Sequence, residues 1–189
     1  MNVWCAIRTF PNHAKELGNV IPKEPAFFLK ASSCVVPPMV LDTFEGDVHH
    51  EIELVIRLDD ELMPSEMTVG LDLTKRSAQN YLKEQGMPWT EAKSFYCSAM
   101  IGPWVPYHPK AEITLIVNEN KVQNASIESM LWTPEQLVKK LSSWAPIMPG
   151  DLLFKGTPSG VGPLQPGDVI RASLHVYDEE MSHFVADCV

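Results

Sequence analysis

Residues 48–58, Val-His-His-Glu-Ile-Glu-Leu-Val-Ile-Arg-Leu, predict a strand around which the rest of the chain is organised. Side chains alternate between the two faces of a β-strand, so Glu51 and Glu53 point the same way, about 7 Å apart at the backbone. Two carboxylates at this distance either converge on one cation or repel each other. An all-oxygen pair suits Mg²⁺ or Mn²⁺ better than Zn²⁺, which prefers histidine and cysteine. The alternative is a solvated strand face that carries two acids.

A third carboxylate lies on the next informative strand, which residues 68–74 predict. Asp72 shares a face with Gly70 and Thr74. Because glycine has no side chain, we expect it to leave room for a ligand against the backbone. Together with the two glutamates, Asp72 completes a candidate set of metal-binding carboxylates.

A predicted helix over residues 75–85 follows this strand, with Thr74 as its N-cap and Gly86 at its end. It carries Arg76 and Gln79 on its first turn. A helix N-terminus beside an acid at a strand end is a candidate site for an anionic ligand. The alternative is that Arg76 simply pairs with a nearby acid.

Two other segments carry groups able to act on protons or on charge. Lys93 lies among aromatic residues within the segment 88–95, where partial desolvation would make it an electrophilic or proton-handling group. The alternative is a lysine whose stem packs along an apolar wall. His13 and Glu16 are three positions apart in a short predicted helix, so they share a face and can touch. A surface pair without function is the alternative for these two.

Residues 156–163, Gly-Thr-Pro-Ser-Gly-Val-Gly-Pro, form a predicted loop directly after a strand. The loop lacks the GxxxxGK[ST] pattern, and its prolines remove amide donors that a nucleotide phosphate would use. We therefore expect a rigid loop that presents the Thr157 hydroxyl and nearby amides to a small anion.

The composition limits the class of protein. The 189 residues, 45% of them hydrophobic and 21% charged, predict one globular domain over residues 1–189. A net charge of -9 argues against nucleic-acid and anionic-membrane partners. No apolar run is long enough to span a bilayer. Four cysteines without a CxxC pair, and no signal-peptide pattern, favour a reduced protein in the cytoplasm.

Several stretches, in the same order along the chain, resemble the fumarylacetoacetate hydrolase family. They are NHAKELG, EPAFFLKASS, VHHEIEL, GLDLTKRSAQ, GMPWTEAKSF and PGDLLFKGTPSGVGP, and they cover nearly the whole chain from Arg8 to Asp168. The chain looks most like the short acylpyruvate hydrolase and oxaloacetate decarboxylase branch. The resemblance implies a mainly β fold with short helices (α+β), a mixed β-roll or barrel-like sandwich of the type of the family's C-terminal domain. It also implies a homodimer with Mg²⁺ or Mn²⁺ in its site.

The resemblance implies a role for each matching residue. It implies metal binding by Glu51, Glu53 and Asp72, an active-site lysine at Lys93, and contact of Thr157 with the substrate carboxylate. It further implies a mobile lid pair, His13 and Glu16, that activates water, and substrate-side contacts from Arg76 and Gln79.

The implied reaction is cleavage of a C–C bond in a small anionic 2-oxo acid. Acylpyruvate hydrolysis and oxaloacetate decarboxylation both fit, through an enolate that the metal stabilises. Two alternatives stay open: an isomerase or tautomerase of a 2-oxo or 2-hydroxy-diene diacid in aromatic catabolism, and a non-catalytic scaffold that binds a metal or a small molecule. Three residues depart from the family pattern: Thr9, where an asparagine commonly follows the arginine, Ser77, where an aspartate is common, and Lys155, where a threonine is usual. These departures affect the substrate and leave the metal set intact.

Overall fold

The computed structural model describes residues 1–12, 22–44 and 46–189. The strands in these residues are β1 Val3–Ile7, β2 Ala26–Lys30, β3 Val35–Val36, β4 Val48–His50, β5 Ile52–Leu58, β6 Pro64–Asp72, β7 Thr74–Lys75, β8 Ala99–Ile101, β9 Val105–Pro106, β10 Ala111–Val117, β11 Asn120–Ser126, β12 Leu152–Phe154, β13 Gly162–Pro163, β14 Val169–Val176 and β15 Glu179–Asp187. The α-helices that lie wholly within them are α1 Arg76–Glu84, α2 Thr90–Lys93 and α3 Pro134–Ser142, with 3-10 turns at Ser32–Cys34 and Ile127–Ser129. The predicted fold class, mainly β with short helices, is confirmed.

The strands of the described residues form three sheets. The largest has eight strands in the order β2-β1-β12-β5-β6-β8-β3, with β9 paired to β6, and the second has the order β11-β10-β14-β15. Strand β12 lies between β1 and β5, parallel to β1 and antiparallel to β5. The smallest sheet, β13-β4-β7, pairs His50 with Gly162 and His49 with Thr74. This pairing brings the loop after β12 beside the strands that carry the carboxylates.

The main core is built from both large sheets. Leu54 on β5, Leu71 on β6 and Leu174 on β14 are fully buried in one apolar cluster. Val55, on the opposite face of β5, is fully buried in a second cluster. Each such side chain contributes roughly 1.5–3 kcal/mol through its removal from water. Because β5 is buried on both faces, its central residues are apolar except at Glu53.

Helix α3 begins with a complete capping box. The Thr133 hydroxyl accepts a hydrogen bond from the Gln136 amide at 3.4 Å, and the Gln136 side chain accepts one from the Thr133 amide at 2.9 Å. Pro134 takes the first helical position, where its missing N–H costs nothing. Leu137 and Leu141 then bury the apolar face of the helix against the main core. In the described part of the chain, no helix has the length and apolar character needed to cross a bilayer.

Two expectations about the neighbours of Asp72 are wrong. Gly70 does not leave room for a ligand, because a Cβ atom there would lie 2.6 Å from Val55 Cγ2. The glycine instead makes room for the side chains of Val55, Phe154 and Ile101. Thr74 is not the N-cap of α1, which is Lys75 without a side-chain cap. The Thr74 hydroxyl accepts a hydrogen bond from Lys93 Nζ at 2.6 Å.

Candidate metal and substrate site

Three buried carboxylates converge where β4, β5 and β6 meet. Glu51 lies between β4 and β5, Glu53 lies on β5, and Asp72 ends β6. In the same order, the three residues are 7%, 2% and 1% exposed, and one oxygen of each lies within 4.8 Å of the others. Acids this close repel each other strongly when buried, so the cluster requires compensating positive charge.

The register between β5 and β6 explains this convergence. Ile52 pairs with Leu71, and the Asp72 amide donates to the Glu51 carbonyl at 2.8 Å. Asp72 is therefore the cross-strand neighbour of Glu51. Glu53 is two residues further along β5 and points to the same face. The alternation read from the sequence thus places all three predicted metal ligands correctly in space, while their role as ligands stays a proposal.

Lys93 supplies part of the positive charge. Its Nζ donates to Glu51 Oε2 at 2.9 Å and to Asp72 Oδ2 at 2.7 Å. Burial alone would lower the pKa of Lys93, but the charges of Asp72 and Glu51 raise it above its ordinary value. The lysine therefore stays protonated at neutral pH. It therefore balances the negative charge of the carboxylates and does not accept a proton.

A second buried lysine, Lys30, was not predicted as part of the site. Its ammonium donates to the carbonyls of Leu73 at 3.2 Å and Ser98 at 2.9 Å, and to that of Lys93. These bonds use all three hydrogens of the ammonium group. Its Nζ lies 2.8 Å from Asp72 Oδ1 without hydrogen-bond geometry. That buried oxygen has no hydrogen-bond donor among the described residues.

Glu53 is the carboxylate with the least compensation. It accepts a hydrogen bond from the Gly156 amide at 2.6 Å, and no lysine or arginine of the described segments forms a salt bridge with it. Burial, followed by the charges of Asp72 and Glu51, raises the pKa of Glu53 well above its usual range. A bound cation would remove this penalty.

The residues present fit a divalent hard cation. Three carboxylates offer an all-oxygen set, which is the donor chemistry of Mg²⁺ and Mn²⁺ sites. One buried oxygen of Asp72 lacks a hydrogen-bond donor, and Glu53 lacks a cationic neighbour. A cation bound between these carboxylates would give the Asp72 oxygen a partner and would place a positive charge beside Glu53.

One face of α1 forms the wall opposite the carboxylates. Arg76 Nη2 pairs with Glu51 Oε1 at 2.6 Å, which agrees with the alternative that Arg76 pairs with a nearby acid. Its Nη1 donates to Gln79 Oε1 at 2.6 Å. Lys83, which sequence reasoning missed, donates to the same Gln79 oxygen at 3.2 Å. The positions i, i+3 and i+7 share one helix face, so this spacing could have revealed Lys83. All three line a cavity of about 60 Å³ together with the carboxylates.

Thr157 lines the same cavity from the loop after β12. Gln123, another residue that the sequence did not reveal, holds it there. Gln123 Nε2 donates to the Thr157 hydroxyl and to the Pro158 carbonyl, both at 2.9 Å. Its Oε1 accepts from the Ile52 amide at 3.1 Å. One buried amide side chain therefore fixes the loop against the strand that carries Glu53.

Residues 2–181 match the family described as fumarylacetoacetate (FAA) hydrolase C-terminal. The chain belongs to this family. A mitochondrial oxaloacetate decarboxylase of Dictyostelium discoideum is 34% identical over an alignment of 193 positions, which spans 92% of this chain and 88% of that protein. A mitochondrial oxaloacetate tautomerase of Bos taurus is 31% identical over an alignment of 192 positions, which spans 92% of this chain and 87% of that protein.

Solved structures of the family share the fold. The fumarylpyruvate hydrolase of Pseudomonas aeruginosa, solved in complex with Mn²⁺ and pyruvate, has a TM-score of 0.90 and 32% identity. The match covers 100% of this chain and 89% of that one. The predicted family and its C-terminal-domain type of fold are therefore confirmed. The predicted lid pair of the family, His13 and Glu16, lies outside the described residues.

Lys155, which stands where the family resemblance leads us to expect a threonine, is a buried lysine next to the site. The residue is 2% exposed and lines a separate cleft. Burial lowers the pKa of Lys155 from 10.5 to about 8, and the nearby charge of Glu135 opposes the shift. Because the pKa of this lysine is lower in the folded protein than in the unfolded chain, its positive charge reduces the free energy of unfolding.

Lys155→Met should therefore stabilise the protein. A depression from 10.5 to about 8 corresponds to a cost of roughly 3 kcal/mol, present in full below pH 8 and lost as the pH rises from about 8 to 10.5. The variant should gain up to that amount at pH 7 and less at pH 10, as measured by urea unfolding. Lys121→Met removes an exposed lysine and serves as the control. A gain that is the same at both pH values would contradict this account.

Proposed function

We propose that this family member is an Mg²⁺- or Mn²⁺-dependent enzyme that breaks a C–C bond in a small 2-oxo acid. The observation that carries the proposal is the buried cluster of Glu51, Glu53 and Asp72, with oxygens within 4.8 Å and one donor-free oxygen on Asp72. The relatives named for oxaloacetate and the neighbour solved with Mn²⁺ and pyruvate support both the metal and the substrate class.

Glu51, Glu53 and Asp72 would hold the cation. When bound, a divalent cation supplies Lewis-acid stabilisation of the negative charge that develops on the substrate's keto oxygen. The side chains of the chain do the rest. Lys93 adds a fixed positive charge, because its ion pairs with two of the carboxylates keep it protonated.

The opposite wall would bind the substrate's carboxylates. Arg76 and Lys83 bring two positive charges to the cavity, and Gln79 orients both through its side-chain oxygen. Thr157 presents a hydroxyl from the other side of the cavity. Among the described residues the cavity has a volume of about 60 Å³, and this small size favours a small acid over a nucleotide or a peptide.

Two cleavage reactions fit this arrangement. In oxaloacetate decarboxylation, the bond to the distal carboxylate breaks, CO₂ leaves, and the electron pair forms the enolate of pyruvate, which then takes a proton at carbon. In acylpyruvate hydrolysis, water adds to the distal carbonyl before the same enolate leaves. Hydrolysis therefore needs a base for water, and His13 with Glu16 is our proposal for that base.

Tautomerisation is the second candidate, favoured by the oxaloacetate tautomerase relative. It moves a proton between carbon and the keto oxygen through the enolate of the intact substrate, and no C–C bond breaks. A non-catalytic scaffold is less consistent with the site, because the described residues retain the full set of carboxylates, Lys93 and the polar wall of α1.

Three further expectations from the sequence stay predictions. They are a single domain over residues 1–189, a homodimer and a cytoplasmic location.

Turnover by the purified protein tests the proposal. We expect pyruvate to form from oxaloacetate or acetylpyruvate with Mg²⁺, and EDTA to abolish the reaction. Pyruvate release coupled to lactate dehydrogenase reports bond cleavage, whereas ultraviolet absorbance of the enol reports tautomerisation. If the enol and keto forms interconvert but no pyruvate forms, the protein is a tautomerase and does not cleave the C–C bond. Full activity in EDTA would refute the metal dependence.

A further inference from the structure

A second concave site lies on the side of β12 that faces the main core. This cleft has a volume of about 480 Å³, which is within the size range of small-molecule sites. Its walls are largely apolar or aromatic, with Tyr107, Met130 and Trp132 partly exposed and Ile127 buried. Lys155 lies among these residues, and none of the carboxylates of the candidate metal site lines the cleft.

The Lys155 ammonium has no compensating neighbour in direct contact. The residue is 2% exposed, and within the described residues its Nζ forms neither a hydrogen bond nor a salt bridge. Its backbone is fully engaged, since its amide donates to Leu54 at 3.0 Å and its carbonyl accepts from Thr9 at 2.6 Å. The charge of Glu135 lies nearby but forms no salt bridge with Lys155, so the ammonium stays poorly compensated and the cleft would gain from an anion at this point.

The N-terminus of α3 adds a second source of positive potential to the same cleft. Thr133, Pro134 and Glu135 line it. Pro134 has no N–H, and the Gln136 amide already bonds the Thr133 hydroxyl. Of the first three helical positions, only the Glu135 amide therefore remains as a donor without an intrahelical acceptor.

We propose that this cleft binds an organic monoanion with a flat apolar body, such as an aromatic carboxylate, whose carboxylate pairs with Lys155. The apolar part would lie against Trp132, Tyr107 and Met130. The acidic side chains of Glu128 and Glu135 also line the cleft and disfavour dianions. The site therefore selects against the small diacids proposed for the metal site.

Calorimetry on the intact protein with Mg²⁺ tests this proposal, with phenylacetate as the probe and neutral phenylacetamide as its matched control. Phenylacetate should bind saturably, and phenylacetamide should bind at least about tenfold more weakly, since a charge-assisted hydrogen bond is lost. Added oxaloacetate should not displace the probe.

Variants locate the site. Lys155→Met should weaken phenylacetate binding at least about tenfold, whereas Lys121→Met should match the wild type. Thermal unfolding of Lys155→Met checks that the variant is folded. Absence of saturable binding at millimolar phenylacetate, or equal affinity of Lys155→Met and wild type, would overturn the proposal.

Discussion

Asp72→Asn should abolish the metal-dependent turnover of a 2-oxo acid. The change keeps the shape of the side chain and removes one negative charge from a three-carboxylate set. Groups that only support metal ligands change metal affinity about 10–100-fold when removed, so loss of a ligand should exceed that range. Calorimetry with Mg²⁺ measures the affinity directly, and Glu53→Ala should show the same loss.

Stability must be separated from metal binding in this experiment. Asp72 also pairs with Lys30 and Lys93, and breaking such a buried pair typically costs about 3–5 kcal/mol. Asp151→Asn is the matched control, because this fully buried aspartate binds Trp4 Nε1 at 3.0 Å outside the cavity. The control should lose stability and keep its Mg²⁺ affinity. Unchanged Mg²⁺ affinity in Asp72→Asn would refute the ligand assignment.

His13→Ala should separate hydrolysis from decarboxylation. Loss of a general base typically costs about 10²–10⁴-fold, and only the hydrolytic reaction requires activated water. We therefore expect acylpyruvate hydrolysis to fall by that order while much of the oxaloacetate decarboxylation is retained. His13 and Glu16 lie outside the described residues, so this prediction rests on their spacing and on the family resemblance.

Parallel assays of acetylpyruvate and oxaloacetate turnover measure the two effects. His183→Ala, which removes an exposed imidazole on β15, is the control and should leave both rates unchanged. Equal losses in the two reactions would mean that His13 serves lid closure or substrate binding and does not activate water.

The carboxylate cluster was predictable because strand alternation is a local property. Glu51 and Glu53 lie two residues apart, and Asp72 falls on the same face of the neighbouring strand. Lys30 and Gln123 were not predictable in this way. Lys30 reaches Leu73 across 43 positions and Gln123 reaches Ile52 across 71, so both depend on pairing between distant segments.

The errors near Asp72 have the same origin. Thr74 has the right residue type and position for an N-cap, but the Lys93 ammonium binds its hydroxyl. Gly70 was expected to open space, yet a Val55 methyl group fills it. In both cases a contact from another part of the chain decided the outcome against a correct local preference.

The position of β12 between β1 and β5 has a consequence for how the protein folds. Strands β5 and β6 are joined by a short connection and can pair early, which sets the three acids side by side. The Gly156 amide reaches Glu53 only across 103 positions, and it follows a parallel pairing of Val3 with Leu152. Closing loops of this length is slow. During synthesis, the three acids are therefore made long before the segment that carries Gly156, and we expect the hydrogen bond from its amide to Glu53 to form late in folding.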